Sequence, residues 1–379
     1  MNKENDNRKI AKLILFYMAY IISATQIFLY RIPIIKSITE MLNIVAIIIL
    51  ISLIIMNKYT KKQILIMIIL SSIALTISYK MKSNTLLKNL LIIFACKDID
   101  FYKFIKVDFF IRFILYVSVI LLNQKGLIES YDIYRITEKG IIERKSLGFS
   151  HPNYLGITTF ILCCEWLYIR KFKVNLLTII PLALGWFVIY DIANSRSAAL
   201  VFILLLAIYF ALMQWKVIST NKIFSKIITY FPIICFVLSM IEYMIYLKEP
   251  EILNKIDENV YLRAYFISEY INKYDWNLFG TKISGDEEMP LDNAYFYIII
   301  HCGILAEFIF VYYFYKLLNK IYKNILAKDD KLLYQLVTIL ISFLILGLSE
   351  SAWISVAMNP FLIAFSKLLI NKDLKNNNS

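Results

Sequence analysis

Apolar runs of roughly 15–24 residues recur along this chain from end to end, and no other feature constrains its fold as strongly. A run of that length is long enough, or nearly so, to cross a bilayer as a helix. In hydrocarbon, only helices and closed barrels satisfy their own backbone hydrogen bonds. The apolar fraction of 60% and the mean hydropathy of +0.65 stand far above those of ordinary soluble domains. The expectation is an all-α polytopic membrane protein, a single integral membrane domain over 1–379. The stretch from Met1 to Ala11 is polar and basic, and no small-residue cleavage site follows the first apolar run. That run therefore reads as a retained helix and not as a signal peptide.

The net charge of +13 resembles that of a nucleic-acid-binding protein, but its distribution argues otherwise. The basic residues sit in short clusters between apolar runs, the pattern of cytoplasmic loops, so no nucleic-acid partner is expected. Cys96, Cys163, Cys164, Cys235 and Cys302 fall in or beside apolar runs, without metal-ligand spacing. Neither a metal nor a cofactor is expected, and no Gly-rich phosphate loop, internal repeat or separate soluble domain is visible.

About twelve spans are expected: Leu13–Leu29, Ile38–Met56, Ile64–Tyr79, Leu86–Cys96, Phe104–Leu122, Tyr154–Tyr168, Val174–Tyr190, Ala198–Trp215, Ile227–Leu247, Ala294–Leu317, Leu332–Leu348 and Ala352–Leu369. The fourth is short and contains Lys88. The fifth carries Asp108 and Arg112, four residues apart and able to pair on one helix face. With the N-terminus inside, the basic clusters around Lys58, Lys97, Arg170, Lys216 and Lys316 all fall on the cytoplasmic side, as does the tail. Two long loops then lie outside, Asn123–Pro152 and Lys248–Asn293. The second is acidic and includes Val260–Ile271, whose apolar spacing is that of an amphipathic helix lying on the outer leaflet.

Chemistry concentrates in Arg144-Lys-Ser-Leu-Gly-Phe-Ser-His-Pro-Asn153, at the end of the first outer loop. This stretch holds one of two histidines and one of eight arginines. Arg31, Arg135, Arg144, Arg196 and Arg263 all fall outside, against the positive-inside trend. Arginine's planar fork suits bidentate phosphate binding. Arg31 and Arg135 read as ordinary headgroup snorkelling; Arg144, Arg196 and Arg263 read as an anion site.

The chain resembles the Wzy-type polymerases of capsular and exopolysaccharide repeat units, relatives of the O-antigen ligases. The resemblance lies in Lys97-Asp-Ile-Asp100, the Arg144–Asn153 stretch, Asn194-Ser-Arg-Ser197 and Arg263. It continues in Leu278-Phe-Gly280, Leu291-Asp-Asn-Ala-Tyr-Phe296 and Gly303-Ile-Leu305. It covers roughly Lys97 to Leu305, each motif short and the order specific. It implies a membrane glycosyltransferase of GT-C-like architecture, working without a metal at the outer face of the cytoplasmic membrane. Donor and acceptor would be undecaprenyl-diphosphate-linked oligosaccharides, and a flippase and a chain-length regulator would be partners. The acceptor hydroxyl attacks the anomeric carbon of the growing chain, and undecaprenyl diphosphate leaves. Charge develops on that diphosphate, where placed cations stabilise the transition state most.

Within this reading His151 serves as general base or phosphate donor, against the simpler role of a helix cap. Asn153, Asp292 and Asn293 are candidate sugar-binding residues, and each also sits where a helix cap is wanted. Arg196 opens a span whose N-terminus would help it bind an anion. Glu350, in a short outer turn, is a candidate second base. His301 reads as a packed core histidine, and Asp286-Glu-Glu288 as a solvated loop. A flippase or other transporter would favour repeated halves and charges along a central path, neither of which is evident. A ligase using another acceptor would share the donor chemistry. The topology yields a direct prediction: in intact cells Ser284→Cys reacts with a membrane-impermeant thiol reagent and Lys328→Cys is protected. The opposite pattern would sink the twelve-span register.

Overall fold

A computed structural model describes residues 2–29, 32–137, 140–214, 222–274, 276–283, 291–328 and 331–370. Arg31, the Asp286–Glu288 triplet and the basic tail lie outside these residues. The protein is 78% helical, as the apolar runs require. Among the described residues, four helical segments are long and apolar enough to cross a membrane: Asn7–Leu29, Lys36–Met56, Lys61–Met81 and Ile223–Lys248. Shorter apolar helices accompany them, among them Thr85–Ala95, Leu176–Ile192, Arg196–Ala211 and Leu332–Leu346. Two compact units are interleaved along the chain: residues 1–63, 88–203 and 355–379 form the first, and 64–87 and 204–354 the second.

In the first unit, α1 (Asn2–Leu29) packs against α2 (Pro33–Met56) and α5 (Phe101–Gln124), and α5 packs against α6 (Pro152–Ile169). Local chemistry sets the starts. Pro33 and Pro152 occupy first-turn positions, where proline's missing N–H costs nothing. Asp100, the last residue of the Lys97–Asp100 motif, accepts the Lys103 N–H at 2.8 Å and caps α5. Lys88, awkward in an apolar run, lies in the 11-residue helix α4 (Thr85–Ala95) and donates to Gln26 Oε1 at 3.0 Å and Asn43 Oδ1 at 2.8 Å. A helix of that length is about 16 Å long, roughly half the hydrocarbon thickness.

The fully buried Arg112 joins these elements. Its guanidinium donates to Asp108 Oδ2 at 2.9 and 3.2 Å, to Glu165 Oε1 at 3.4 Å, to the Tyr20 hydroxyl at 3.4 Å and to the Ala357 carbonyl at 3.3 Å. Asp108 and Glu165 are 0% exposed and Arg112 1%. The pairing expected of Asp108 and Arg112 is present, extended to α1, α6 and the 355–359 turn.

The second unit contains α3 (Lys61–Met81) from residue 64, α8 (Arg196–Gln214) from residue 204, and α9 (Lys222–Lys248). The short α10 (Pro250–Ile256) and the amphipathic α11 (Glu258–Lys273) follow. The apolar face of α11, Ile267 and Tyr270, packs with Tyr243, Leu291, Phe296 and Ile300. That face is covered by protein, where the sequence suggested a leaflet. The expected tenth span is broken into α12 (Ala294–Tyr297), a π-helical turn (Ile298–Cys302) and α13 (Ile304–Lys328). Gly303, at φ +94°, makes the break.

Residues 277–281 of the long acidic loop fill that break. Thr281 N–H donates to the Ile300 carbonyl at 2.9 Å and Ile304 N–H to the Asn277 carbonyl at 3.1 Å. A Cβ on Gly303 would lie 2.3 Å from the Leu278 carbonyl oxygen, and one on Gly280 2.1 Å from that of His301. Leu278–Gly280 and Gly303–Leu305 are thus two halves of one contact. His301 stacks on Tyr297 with ring centroids 4.2 Å apart, the packed role expected of it.

The last expected span also differs. After α14 (Lys331–Leu346), the region 352–369 is not one helix. It forms 3-10 turns at Ala352–Ile354 and Pro360–Ile363, then α15 (Ala364–Leu369). Asn359 accepts the Phe361 N–H at 3.1 Å and restarts the chain ahead of Pro360, which cannot continue an incoming helix. The polar loop Asn123–Pro152 contains an antiparallel hairpin of β1 (Ile133–Thr137) and β2 (Gly140–Arg144). Its Ile-Tyr-Arg-Ile-Thr run has the β-branched and aromatic content of a strand.

Breaking the Arg112 knot should be costly. Arg112→Leu leaves two buried carboxylates without their cation, a loss of about 3–5 kcal/mol, read as a large fall in thermal unfolding temperature in detergent. Glu165→Gln keeps an acceptor for the long 3.4 Å bond and removes one of two acids, so it should be tolerated far better than Asp108→Leu. Equal losses in the two would refute this ranking.

Candidate functional site

The hairpin, the cap of α6 and the turn before α8 meet in the first unit. Arg144, the last residue of β2 and 6% exposed, donates through Nε to the Ala193 carbonyl at 3.3 Å and through Nη2 to Asn153 Oδ1. Arg135, on β1, donates to Asn194 Oδ1 at 3.1 Å. The Lys145 N–H donates to the Ile192 carbonyl at 3.0 Å, fastening the hairpin's end to the same turn. Two guanidinium groups are therefore held on adjacent residues of one turn, three and two positions before Arg196.

That turn is shaped by close packing. Asn194 adopts φ +45°, a left-handed conformation asparagine tolerates better than most residues. Ser195 is fully buried against Gly156 of α6, where a Cβ would come within 2.5 Å of the Ser195 Cβ. Gly148 combines φ +89° with a Cβ position 2.7 Å from Asn123. Neither glycine of the stretch Arg144–Gly156 has room for a Cβ, Gly156 facing the Ser195 side chain and Gly148 that of Asn123. Arg196 is exposed in the first turn of α8.

His151 is the N-cap of α6, a role the sequence offered to it and to Asn153 alike. Its Nδ1 accepts the Asn153 N–H at 3.0 Å. In the neutral ring this places the remaining proton on Nε2. Burial first, and the Arg144 charge second, lower its pKa to about 4. At neutral pH His151 is an uncharged N–H donor, and its acceptor nitrogen is already occupied. Of the two roles considered for it, the arrangement suits donation to an anion and not proton abstraction.

Two carboxylates of the hairpin region have partners of their own. Asp132 accepts from the Ser146 N–H at 2.8 Å and from the Ser130 hydroxyl. Glu143 lies 3.5 Å from Lys145 Nζ. Asp132 thereby also ties the strand entrance to the loop leading away from Arg144.

The structure brings together Arg144, His151 and Asn153, with Arg196 three residues beyond the carbonyl that Arg144 holds. It adds Arg135, which sequence reasoning gave to snorkelling. The signal was the hairpin register, Arg135 opposite Ile142 and Ile133 opposite Arg144, which puts both arginines on one two-stranded ribbon. Arg263, Asp292, Asn293 and Glu350 belong to the second unit. Arg263, on α11, is half-buried and close enough to Glu242 for their charges to interact. Asp292 is half-buried, and Glu350 is buried in the turn after α14.

Asn293 does not fit the sugar-binding role. Its Oδ1 accepts the Tyr295 and Phe296 N–H groups at 3.0 and 3.2 Å, and its Nδ2 donates to Ser239 Oγ at 3.0 Å and the Leu348 carbonyl at 3.3 Å. At 1% exposure its amide is fully used in capping α12. No cluster of three or more metal-ligating side chains occurs among the described residues. Comparison with family models, with curated proteins and with solved structures found no match to this chain.

The depressed His151 pKa has a signed consequence for stability. Between pH 6.5 and about 4 the unfolded chain binds a proton that the folded chain refuses. This residue therefore removes stability as pH falls through that window and has no such effect above it. His151→Asn keeps a capping acceptor and does not titrate there, so its thermal unfolding temperature should fall less steeply than that of the native protein from pH 6.5 to 4.5. Parallel curves would show that His151 titrates normally.

Proposed function

We propose that this chain is a membrane-embedded glycosyltransferase that polymerises undecaprenyl-diphosphate-linked oligosaccharide repeats at the outer face of the cytoplasmic membrane. The observation that carries the reading is the cationic face built by Arg135, Arg144 and His151 around the Asn194 turn. Two guanidinium groups held by internal hydrogen bonds and one neutral N–H donor suit a diphosphate that gains charge as the sugar departs. The placement of these groups on a stiff ribbon and a helix cap supports preorganisation. Such donors need not reorient as charge develops. Arg196, exposed at the head of α8, would extend the same face toward the membrane surface.

In this reading both termini are cytoplasmic and about twelve membrane segments cross. The apolar helices are consistent with such an arrangement. The acceptor hydroxyl of one lipid-linked repeat attacks the anomeric carbon of the growing chain on another. The bond from that carbon to the diphosphate oxygen breaks, its electron pair leaves with the diphosphate, and the proton of the acceptor hydroxyl is taken up by that leaving group. Arg135 and Arg144 neutralise the leaving group while His151 Nε2–H hydrogen-bonds one of its oxygens. Asn153 holds Arg144 in place.

Three measurements test this. A deletion strain should lose long chains but still display the single lipid-linked repeat outside; a repeat trapped inside would replace the reading with a transporter. Arg144→Lys keeps the charge but loses the fork, so it should lower polymer formation by about 10²–10³, as Arg144→Ala does. His151→Asn should act similarly by removing Nε2–H, with normal protein level in the membrane. Arg31→Ala serves as the control with little effect. Wild-type chain lengths in the Arg135→Ala, Arg144→Ala and His151→Asn variants together would dismiss the site.

A further inference from the structure

The second unit contains an open cavity of about 530 Å³ between α9 and α13. Its walls are strongly aromatic: Tyr230 and Phe236 from α9, Phe308, Tyr312 and Tyr315 from α13, and Trp276 from the outer loop. Tyr230 and Tyr315 meet at one end with ring centroids 5.2 Å apart. Along α13 the lining runs from Ile304 to Tyr315, about 16 Å of helix.

One acidic group belongs to this lining. Glu307, in the first turn of α13, is 3% exposed, and neither of its carboxylate oxygens has a hydrogen-bond partner among the described residues. Tyr295 lies near enough to interact with it electrostatically, but the Tyr295 hydroxyl donates to the Leu344 carbonyl at 2.8 Å. None of the ion pairs among the described residues includes Glu307. A buried acid without a partner is costly, and within a membrane helix such a group marks a ligand or ion site.

The chemistry of the lining selects the ligand. Aromatic faces attract cations, the apolar walls suit hydrocarbon, and the single acid supplies the counter-charge. A neutral lipid tail would fill the same walls but leave Glu307 without a partner. We propose that this groove binds a hydrophobic cation, a positive centre carried on apolar groups, with Glu307 as its counter-ion. The site is independent of the polymerase reading, because every lining residue lies in the second unit and none belongs to the Arg144 cluster.

The test uses the full chain in nanodiscs of neutral phosphatidylcholine, with radiolabelled tetraphenylphosphonium as probe and empty nanodiscs as blank. Saturable binding is expected, weakened tenfold or more by Glu307→Gln, about threefold by Phe308→Leu, and less by Glu307→Asp than by Glu307→Gln. Uncharged triphenylphosphine oxide should compete at least tenfold less well than unlabelled tetraphenylphosphonium. The competition needs no variant, so a poorly folding Glu307→Gln does not leave the question open. Binding no greater than to empty nanodiscs, equal affinity in a monodisperse Glu307→Gln, or equal competition by the oxide would each overturn the proposal.

Discussion

A guanidinium with nowhere else to go organises the first unit. Arg112 is buried among apolar helices, where an unpaired charge would cost several kcal/mol, so every element around it must present an oxygen. Asp108 does so from the same helix, Tyr20 from α1, Glu165 from α6 and Ala357 from the turn ahead of Pro360. Apolar packing alone lets helices slide and rotate, because one isoleucine face resembles another. Directed hydrogen bonds from one group to four residues do not. The aromatic contacts beside it, such as Tyr20 against Phe104 at 5.1 Å, are placed by that fixed register.

The same economy appears at the surface of the unit, where caps do double duty. His151 ends the loop and starts α6 in a single act of accepting one N–H, while burial keeps its ring neutral. Arg144 and Arg135 close the hairpin onto the turn and in doing so become a rigid pair of cations. Groups that hold a fold are usually spent by it, as Asn293 is. A histidine has two nitrogens and an arginine five N–H groups, so these residue types can anchor the backbone and still face a ligand.

Much of the architecture was legible because hydropathy and helix period are local. The positions of α1, α2, α3, α5, α9 and α14 follow from apolar runs alone, and the Asp108–Arg112 pair follows from a spacing of four. Glu165, 53 residues from Arg112, joins that pair only through tertiary packing, which no periodicity announces. The reading of 352–369 as one helix failed because apolar content outweighed Asn359 and Pro360, whose effect is geometric and not additive. The bond from Arg135 to Asn194 was not legible for a related reason: a loop has no register until it is known to be a hairpin. The caps at His151 and Asn293 were visible as alternatives, and only the hydrogen-bond partners decided between them.

The union of Gly280 with Gly303 changes the mechanical character of the long acidic loop. Backbone hydrogen bonds stitch residues 277–281 into the interrupted helix, and Asn293 pins the chain where the helix begins. Any displacement of the head of α13 therefore carries residues 277–281 with it, because a seam made backbone to backbone has no side chain that could rotate to release it.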